Sequence, residues 1–137
     1  MRGLRYIVLT TVLLLNQACS SDSAYILKPQ VWRGIEVAVE VRPRVPRTGM
    51  NEFLVVATQE KNKRPAYDLI VSLKTKVTGR WEQSIQDGDS GVYRRAVWVQ
   101  DPSHDVLLVL LQQGDIRGEL HFPLTLTTSD SPHQSQK

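Results

Sequence analysis

The fold is decided by the stretch IEVAVEVR, residues 35–42, in which apolar and polar side chains alternate. The apolar positions are Ile35, Val37, Val39 and Val41. Successive side chains of a strand point to opposite faces, so this period of two predicts a β-strand with one buried face. Residues 69–73 (LIVSL) repeat the pattern and predict a second such strand.

Two other stretches are apolar at consecutive positions, which predicts strands buried on both faces. They are FLVVAT at 53–58, predicted to be a central strand, and VLLVLL at 106–111, predicted to be the innermost one. Weaker patterns predict strands at 81–86, 92–99 and 119–126, with Pro123 favouring an edge position or a bulge in the last of them.

The segment DGDSG at 87–91 is a turn signal, because Gly adopts positive φ without strain and Asp bonds its neighbouring backbone. We expect it to pair residues 81–86 with residues 92–99. No stretch of helical length after residue 18 has a helical period. The sequence therefore predicts an all-β domain at 31–126, an immunoglobulin-like antiparallel β-sandwich of about seven strands. The polar residues 127–137 are predicted to be a disordered tail.

The N-terminus has the parts of a secretory signal peptide. Arg2 and Arg5 are positive, residues 6–15 (YIVLTTVLLL) form an uncharged apolar run, and Ala18 precedes the single cysteine, Cys19. The run is shorter than the roughly 20 apolar residues that span a bilayer. We predict an exported protein whose signal peptide, residues 1–18, is cleaved, followed by a tether at 19–30.

Cys19 lies where bacterial lipoproteins carry their lipidated residue, and residues 15–19 (LNQAC) resemble a lipobox, although Asn16 stands where an apolar residue is usual. The resemblance implies a lipid anchor on Cys19 in the bacterial cell envelope, facing the periplasm. Ser20 after the cysteine resembles the outer-membrane sorting choice rather than the inner-membrane one. Alternatively, Ala18 and Ser20 supply an A-x-A-like site, and cleavage after Ser20 discards the cysteine.

Charge argues against nucleic acid as the partner. The formal net charge is +3, but Arg2 and Arg5 belong to the predicted signal peptide, which has no acidic residue. The remainder carries 15 Lys and Arg against 14 Asp and Glu. A nearly neutral chain lacks the basic surface that nucleic-acid binding requires.

Four motifs follow one another between residues 43 and 109. They read PxxPxxGMNxF at 43–53, RPA at 64–66, GVY at 91–93 and DVLLV at 105–109. This order resembles the YtkA-like and FixH-like periplasmic domains, which are small immunoglobulin-like modules of exported bacterial proteins. Members linked to copper often carry Met or His clusters in mid-domain, whereas residues 74–81 (KTKVTGRW) contain neither.

No motif in the sequence predicts catalysis or a cofactor. The histidines His104, His121 and His133 lack the spacing of metal ligands, and Met50 is the only methionine left after processing. Residues 87–91 resemble the start of a calcium loop, but Trp98 stands where an EF-hand needs Glu. We predict no enzyme, no cofactor and no metal site.

Aromatic and basic residues indicate a protein-binding surface instead, because large amphipathic side chains often anchor interfaces. The predicted partner-binding residues are Trp81, Tyr93, Arg94, Arg95 and Trp98. Tyr93 and Trp98 have an alternative interpretation as core residues. The function predicted is a non-catalytic envelope lipoprotein whose sandwich is a binding or accessory module. The alternative function is periplasmic copper handling or assembly of a respiratory oxidase.

The anchor predicts a defined mature N-terminus. Mass spectrometry of the chain from bacterial membranes should find acylated Cys19 as its first residue, and Cys19→Ala should give a soluble or unprocessed form. A mature chain that starts at Ser21 without lipid would contradict the anchor and favour soluble export.

Overall fold

The computed structural model describes residues 25–125, which form nine β-strands and no helix. The predicted signal peptide, Cys19 and the predicted tail from 127 lie outside the described residues. The strands are β1 (Tyr25–Trp32), β2 (Ile35–Arg42), β3 (Gly49–Gln59), β4 (Ile70–Thr75), β5 (Glu82–Gln83), β6 (Ile85–Gln86), β7 (Val92–Val99), β8 (Val106–Gln113) and β9 (Ile116–Pro123). Within these residues no helix is long and apolar enough to cross a membrane.

The strands form two antiparallel sheets that pack face to face. One has the order β1-β2-β3-β7-β6 and the other β5-β4-β8-β9. The prediction of an all-β fold is confirmed, and so are the central positions of β3 and β8. The edge position of β9, which Pro123 indicated, is also confirmed, since proline cannot donate a hydrogen bond to a further strand.

Two sequence-based boundaries are wrong. The predicted tether includes most of β1, which begins at Tyr25, six residues before the predicted domain start. This strand has no clear alternation because it lies at an edge, and its pairing with β2 is irregular between Leu27 and Gln30, around Pro29. The predicted strand at 81–86 is two short strands, β5 and β6, which belong to different sheets.

The core lies between the sheets and explains the period of two. The alternate residues Val37, Val39 and Val41 of β2 are at most 1 % exposed. They pack in one cluster with the inward side chains of both sheets. The largest fully buried members are Tyr93, Phe53, Phe122, Leu73, Leu107, Leu111 and Leu124. Burial of one Val or Leu side chain contributes about 1.5–3 kcal/mol, so this cluster is the main source of stability.

The sheets also meet at both of their edges. At one edge Trp32 of β1 lies against Gly118 of β9, where a Cβ would come within 1.9 Å of the indole Nε1 atom. Any side chain at position 118 would therefore require the Trp32 indole to move. At the other edge Arg95 of β7 donates to Glu82 of β5 across 2.6 Å.

The turn at 87–91 connects β6 to β7 and is held closely against β3. Gly91 has φ of +72°, and its carbonyl accepts a 2.8 Å hydrogen bond from the Ala57 N–H. A Cβ on Gly91 would lie 2.6 Å from the Ala57 carbonyl oxygen. Glycine is therefore required here by both backbone conformation and space, as the turn motif predicts.

Gly91→Val should destabilise the domain. The positive φ alone costs a β-branched residue about 1–3 kcal/mol, and the contact with Ala57 adds to that. Thermal unfolding should therefore show a melting temperature several degrees lower. Asp89→Ala is the matched control, since residue 89 is exposed and its side chain makes no hydrogen bond within residues 25–125.

The same melts test the calcium interpretation of this turn. We expect equal melting temperatures in calcium and in chelator. A calcium-dependent rise that Asp89→Ala abolishes would show that the loop is a metal site.

Candidate binding site at the edge of β7

The side chains of β7 alternate between the core and the outer face of the first sheet. Tyr93, Val97 and Val99 point inward and are at most 3 % exposed. Arg94, Ala96 and Trp98 point outward and are exposed. The predicted partner-binding residues on this strand are therefore separated by the pleat.

Tyr93 is a core residue, which corrects its prediction as a partner-binding residue. Its ring is 1 % exposed, and its hydroxyl donates a 2.9 Å hydrogen bond to the Ala66 carbonyl. Burial raises the pKa of the Tyr93 hydroxyl above its ordinary value. This tyrosine connects β7 to the long segment between β3 and β4, so its alternative interpretation as core is the one that the structure supports.

Trp98 is on the surface and forms an apolar patch with residues that the sequence analysis did not select. Met50 of β3 lies opposite Trp98 in the strand register, and both are about half exposed, at 52 % and 51 %. Ile85 of β6, opposite Arg94, is 65 % exposed. Together with Ala96 these residues form what we call the Trp98 patch, defined by Met50, Ile85, Ala96 and Trp98.

Trp81 lies apart from the Trp98 patch. Its ring packs under the ammonium group of Lys74, whose Nζ is 4.5 Å from the ring centroid. Lys74 belongs to β4 in the second sheet and points away from the core between the buried Leu73 and Thr75. Trp81 is thereby held as a half-buried cover on that sheet, so the structure does not bring Trp81 and Trp98 together.

The two arginines of β7 have acidic partners. Arg95 donates to Glu82 across 2.6 Å, and Glu82 also lies 3.4 Å from Arg80. Arg94 lies 3.2 Å from Asp87 in the turn before β7. Arg95 therefore closes the gap between the two sheets, while Arg94 stays on the outer face at the border of the Trp98 patch.

The backbone of β7 is open along one side. Strand β6 pairs only with Tyr93 and Arg94, so beyond Arg94 no described strand continues the sheet. The Trp98 carbonyl points to the same side and accepts a 3.0 Å hydrogen bond from the buried Thr75 hydroxyl, so the opening lies between Arg94 and Trp98. Alternate residues of a strand direct their backbone groups to the same side, so the N–H and C=O of Ala96 face the opening as well.

Shallow grooves lie on both sides of this edge. One, of about 340 Å³, runs between β7 and the connection from β4 to β5. The other, of about 290 Å³, lies over Met50, Ile85 and Arg94. Met50, Arg95 and Ala96 line both grooves. We call Arg95 to Val99 and the two grooves the β7 edge. An unpaired strand beside exposed apolar side chains is the geometry that accepts an added strand.

A second cluster places Asp101, Ser103 and His104 in one exposed turn. The Ser103 hydroxyl donates to Asp101 Oδ1 across 2.5 Å and lies 2.9 Å from His104 Nδ1. His104 Nδ1 also lies 2.8 Å from Asp101 Oδ2. A hydrolytic triad needs Ser and Asp on opposite ring nitrogens of the histidine. Here both contact Nδ1, so this arrangement cannot relay a proton from the serine.

Histidine–carboxylate contacts elsewhere are pairs and not clusters. His121 Nε2 lies 2.8 Å from Glu119 Oε1 on the outer face of β9. Among residues 25–125 no three His, Cys, Asp or Glu side chains lie close enough to hold a metal ion. His133 and Cys19 lie outside the described residues.

No protein-family model, curated protein or solved structure matches this chain.

The turn cluster gives a prediction for Asp101. The hydrogen bond from Ser103, with a further contribution from His104, holds the pKa of Asp101 at about 2, below its ordinary 3.8. Ser103→Ala removes the hydroxyl hydrogen bond that lowers the Asp101 pKa most. An NMR titration of the Asp101 carboxyl carbon should therefore show a pKa that moves up toward 3.8. Thr125→Ala is the control, because its hydroxyl bonds the Ser103 carbonyl and not the carboxylate. An unchanged pKa in Ser103→Ala would refute this geometry.

Proposed function

We propose that this chain is an exported, lipid-anchored envelope protein whose β-domain binds a protein partner and performs no catalysis. The proposal places the domain among the immunoglobulin-like YtkA-like and FixH-like modules. The export and the lipid anchor are supported by the order of charged, apolar and small residues before Cys19. The binding of a protein partner is supported by one observation, the open β7 edge beside the Trp98 patch.

Structural roles for the motif residues support the family assignment. Asn51, the asparagine of the first motif, is 1 % exposed and makes three hydrogen bonds. It accepts from the Arg47 N–H at 3.0 Å and donates to the carbonyls of Arg47 and Gly49 at 2.7 and 2.9 Å. The motif therefore fixes the turn between β2 and β3. Gly91 and Tyr93 of the third motif fix the start of β7 in the same way.

The partner that this edge fits is an extended segment of another protein. Its backbone would pair with Ala96, and an apolar side chain on its outer face would lie against Met50 and Trp98. Edge strands are often protected from such pairing by charged side chains, and the Arg95–Glu82 pair is a charged pair at this edge. The apolar patch on the outer face favours binding, because a protected edge needs no exposed Met–Trp pair beside it.

Ala96→Pro tests strand addition directly. Proline removes the N–H that faces the opening and blocks the approach of a partner strand, but it removes no hydrogen bond to β3. A photocrosslinking amino acid in place of Trp98, introduced in the bacterial cell, should give one discrete adduct. That adduct should be lost in the Ala96→Pro background at an unchanged melting temperature.

Position 67 supplies the matched control for crosslinking. Tyr67 is 55 % exposed and lies at the other end of the domain, in the segment between β3 and β4. The same crosslinker there should give no adduct of that mass. An adduct that persists in Ala96→Pro, or no adduct from position 98, would be evidence against the β7 edge as the binding site.

The alternative function, copper handling, is tested by titration of the purified chain. We expect no stoichiometric copper binding tighter than about micromolar. The control is His121→Ala, which should leave the titration unchanged. Tight binding at one ion per chain would favour metal handling and would require ligands outside residues 25–125 or a second copy.

A further inference from the structure

Three loops and the start of β1 lie at one end of the domain, which we call the Tyr25 end. The loops span residues 43–48, 76–81 and 100–105. Tyr25 pairs with Val41, at the end of β2 from which the first loop leaves. The Thr48 hydroxyl donates to the Gln100 carbonyl at 3.0 Å, which joins the first loop to the third. The Lys76 N–H donates to the Val106 carbonyl at 2.9 Å, which joins the second loop to β8.

The two ends of the domain differ in charge. The three loops at the Tyr25 end carry four Lys and Arg against two Asp. The connections at the opposite end, residues 33–34, 60–69, 87–91 and 114–115, carry four Lys and Arg against five Asp and Glu. The nearly neutral composition therefore hides a positive end and a slightly negative one.

The positive charge at the Tyr25 end is available to a ligand. Arg44, Arg47 and Lys76 are exposed, and none of them forms an ion pair within the described part of the chain. Of the two acids, Asp105 is 2 % exposed and accepts from backbone N–H groups, including that of Val106 at 2.9 Å. Asp101 is already engaged by Ser103 and His104.

Apolar side chains stand beside these charges at the loop tips. Val45 is 58 % exposed between Arg44 and Arg47, and Val77 is 57 % exposed next to Lys76. Two exposed valines flanked by unpaired cations are suited to a surface that is anionic outside and apolar beneath. The headgroup region of a bilayer with anionic lipids has this layered chemistry.

Chain length fixes which end of the domain can face a membrane. Cys19 lies six residues before Tyr25, and six residues span at most roughly 20 Å when fully extended. An eight-residue strand such as β8 is itself about 26 Å long. An anchor at Cys19 therefore keeps the Tyr25 end within roughly 20 Å of the bilayer, which is too close for the domain to stand on its opposite end.

We propose that the Tyr25 end lies on anionic lipid headgroups, with Arg44, Arg47 and Lys76 on the phosphates and with Val45 and Val77 at the boundary of the acyl chains. This inference rests on the lipid anchor of the proposed function. The β7 edge borders this end, because Val99 directly precedes the loop at 100–105, so a partner strand bound there would lie beside the membrane surface.

The test uses the full lipidated chain in vesicles with a fluorescent label at a single thiol. Cys19 is the only cysteine of the chain, and its sulfur is blocked by the lipid, so Val45→Cys supplies the one reactive thiol. Lys61→Cys at the opposite end is the matched control. Quenching by a nitroxide-bearing lipid is compared in phosphatidylcholine vesicles with and without phosphatidylglycerol.

We expect the label at position 45 to be quenched at least about twofold more strongly when phosphatidylglycerol is present, because each cation near an anionic surface strengthens contact by roughly fivefold. Arg44→Glu with Arg47→Glu should remove this increase, and the label at position 61 should show no increase. Equal quenching at positions 45 and 61, or an increase that survives the two substitutions, would overturn the proposed orientation.

Flotation of the same samples separates this inference from the anchor itself. A lipidated chain floats with phosphatidylcholine vesicles whatever the charge of its loops. A chain that fails to float lacks the anchor and overturns both proposals. A chain that floats but shows no effect of phosphatidylglycerol at position 45 overturns the orientation alone.

Discussion

The whole domain is held together by packing between its two sheets, in which the alternate apolar side chains of β2, β3 and β7 meet those of β4 and β8. The valines of β2, Phe53 of β3 and Leu107 of β8 are all essentially inaccessible to solvent. No internal disulfide can replace this packing, since Cys19 is the only cysteine. A one-residue slip in any of these strands would turn its core side chains toward water, so the core also fixes the register.

The register in turn determines the outer surface of the first sheet. With Phe53 opposite Arg95 and Asn51 opposite Val97, the next pair along the two strands is Met50 and Trp98. The chain before β7 then divides between the two sheets, with Glu82 in one and Ile85 in the other. This division shortens β6 to two residues and leaves the backbone at Ala96 without a neighbouring strand. The candidate binding edge is therefore a consequence of the way in which the chain crosses between sheets.

Three buried polar residues hold the loops of the Tyr25 end. Asn51 bonds the loop before β3, and Asp105 accepts hydrogen bonds from the backbone around the loop before β8. Thr75 is fully buried, with its hydroxyl 2.6 Å from that of Thr78 and 3.0 Å from the Trp98 carbonyl. Buried polar groups must be hydrogen-bonded, so each of them fixes one loop conformation. Arg44, Val45 and Val77 are consequently displayed on loops with hydrogen-bonded bases, which suits the membrane contact proposed for the Tyr25 end.

The amino-acid sequence alone predicts the all-β class, the central strands β3 and β8 and the need for Gly91, because each depends on local alternation or on backbone conformation. For Pro123 it predicts an edge position or a bulge. It also supplied Trp98 as a surface candidate. The three-dimensional structure was needed to show that Tyr93 is core, that Trp81 stacks under Lys74 and that Met50 and Ala96 complete the candidate site. It also showed β1, which the alternation of apolar and polar residues did not predict. This edge strand is interrupted around Pro29, so its sequence has little alternation of that kind. Alternation says that a side chain points inward or outward. Which residues of distant strands become neighbours depends on strand order and register, and these are set by packing across the whole core.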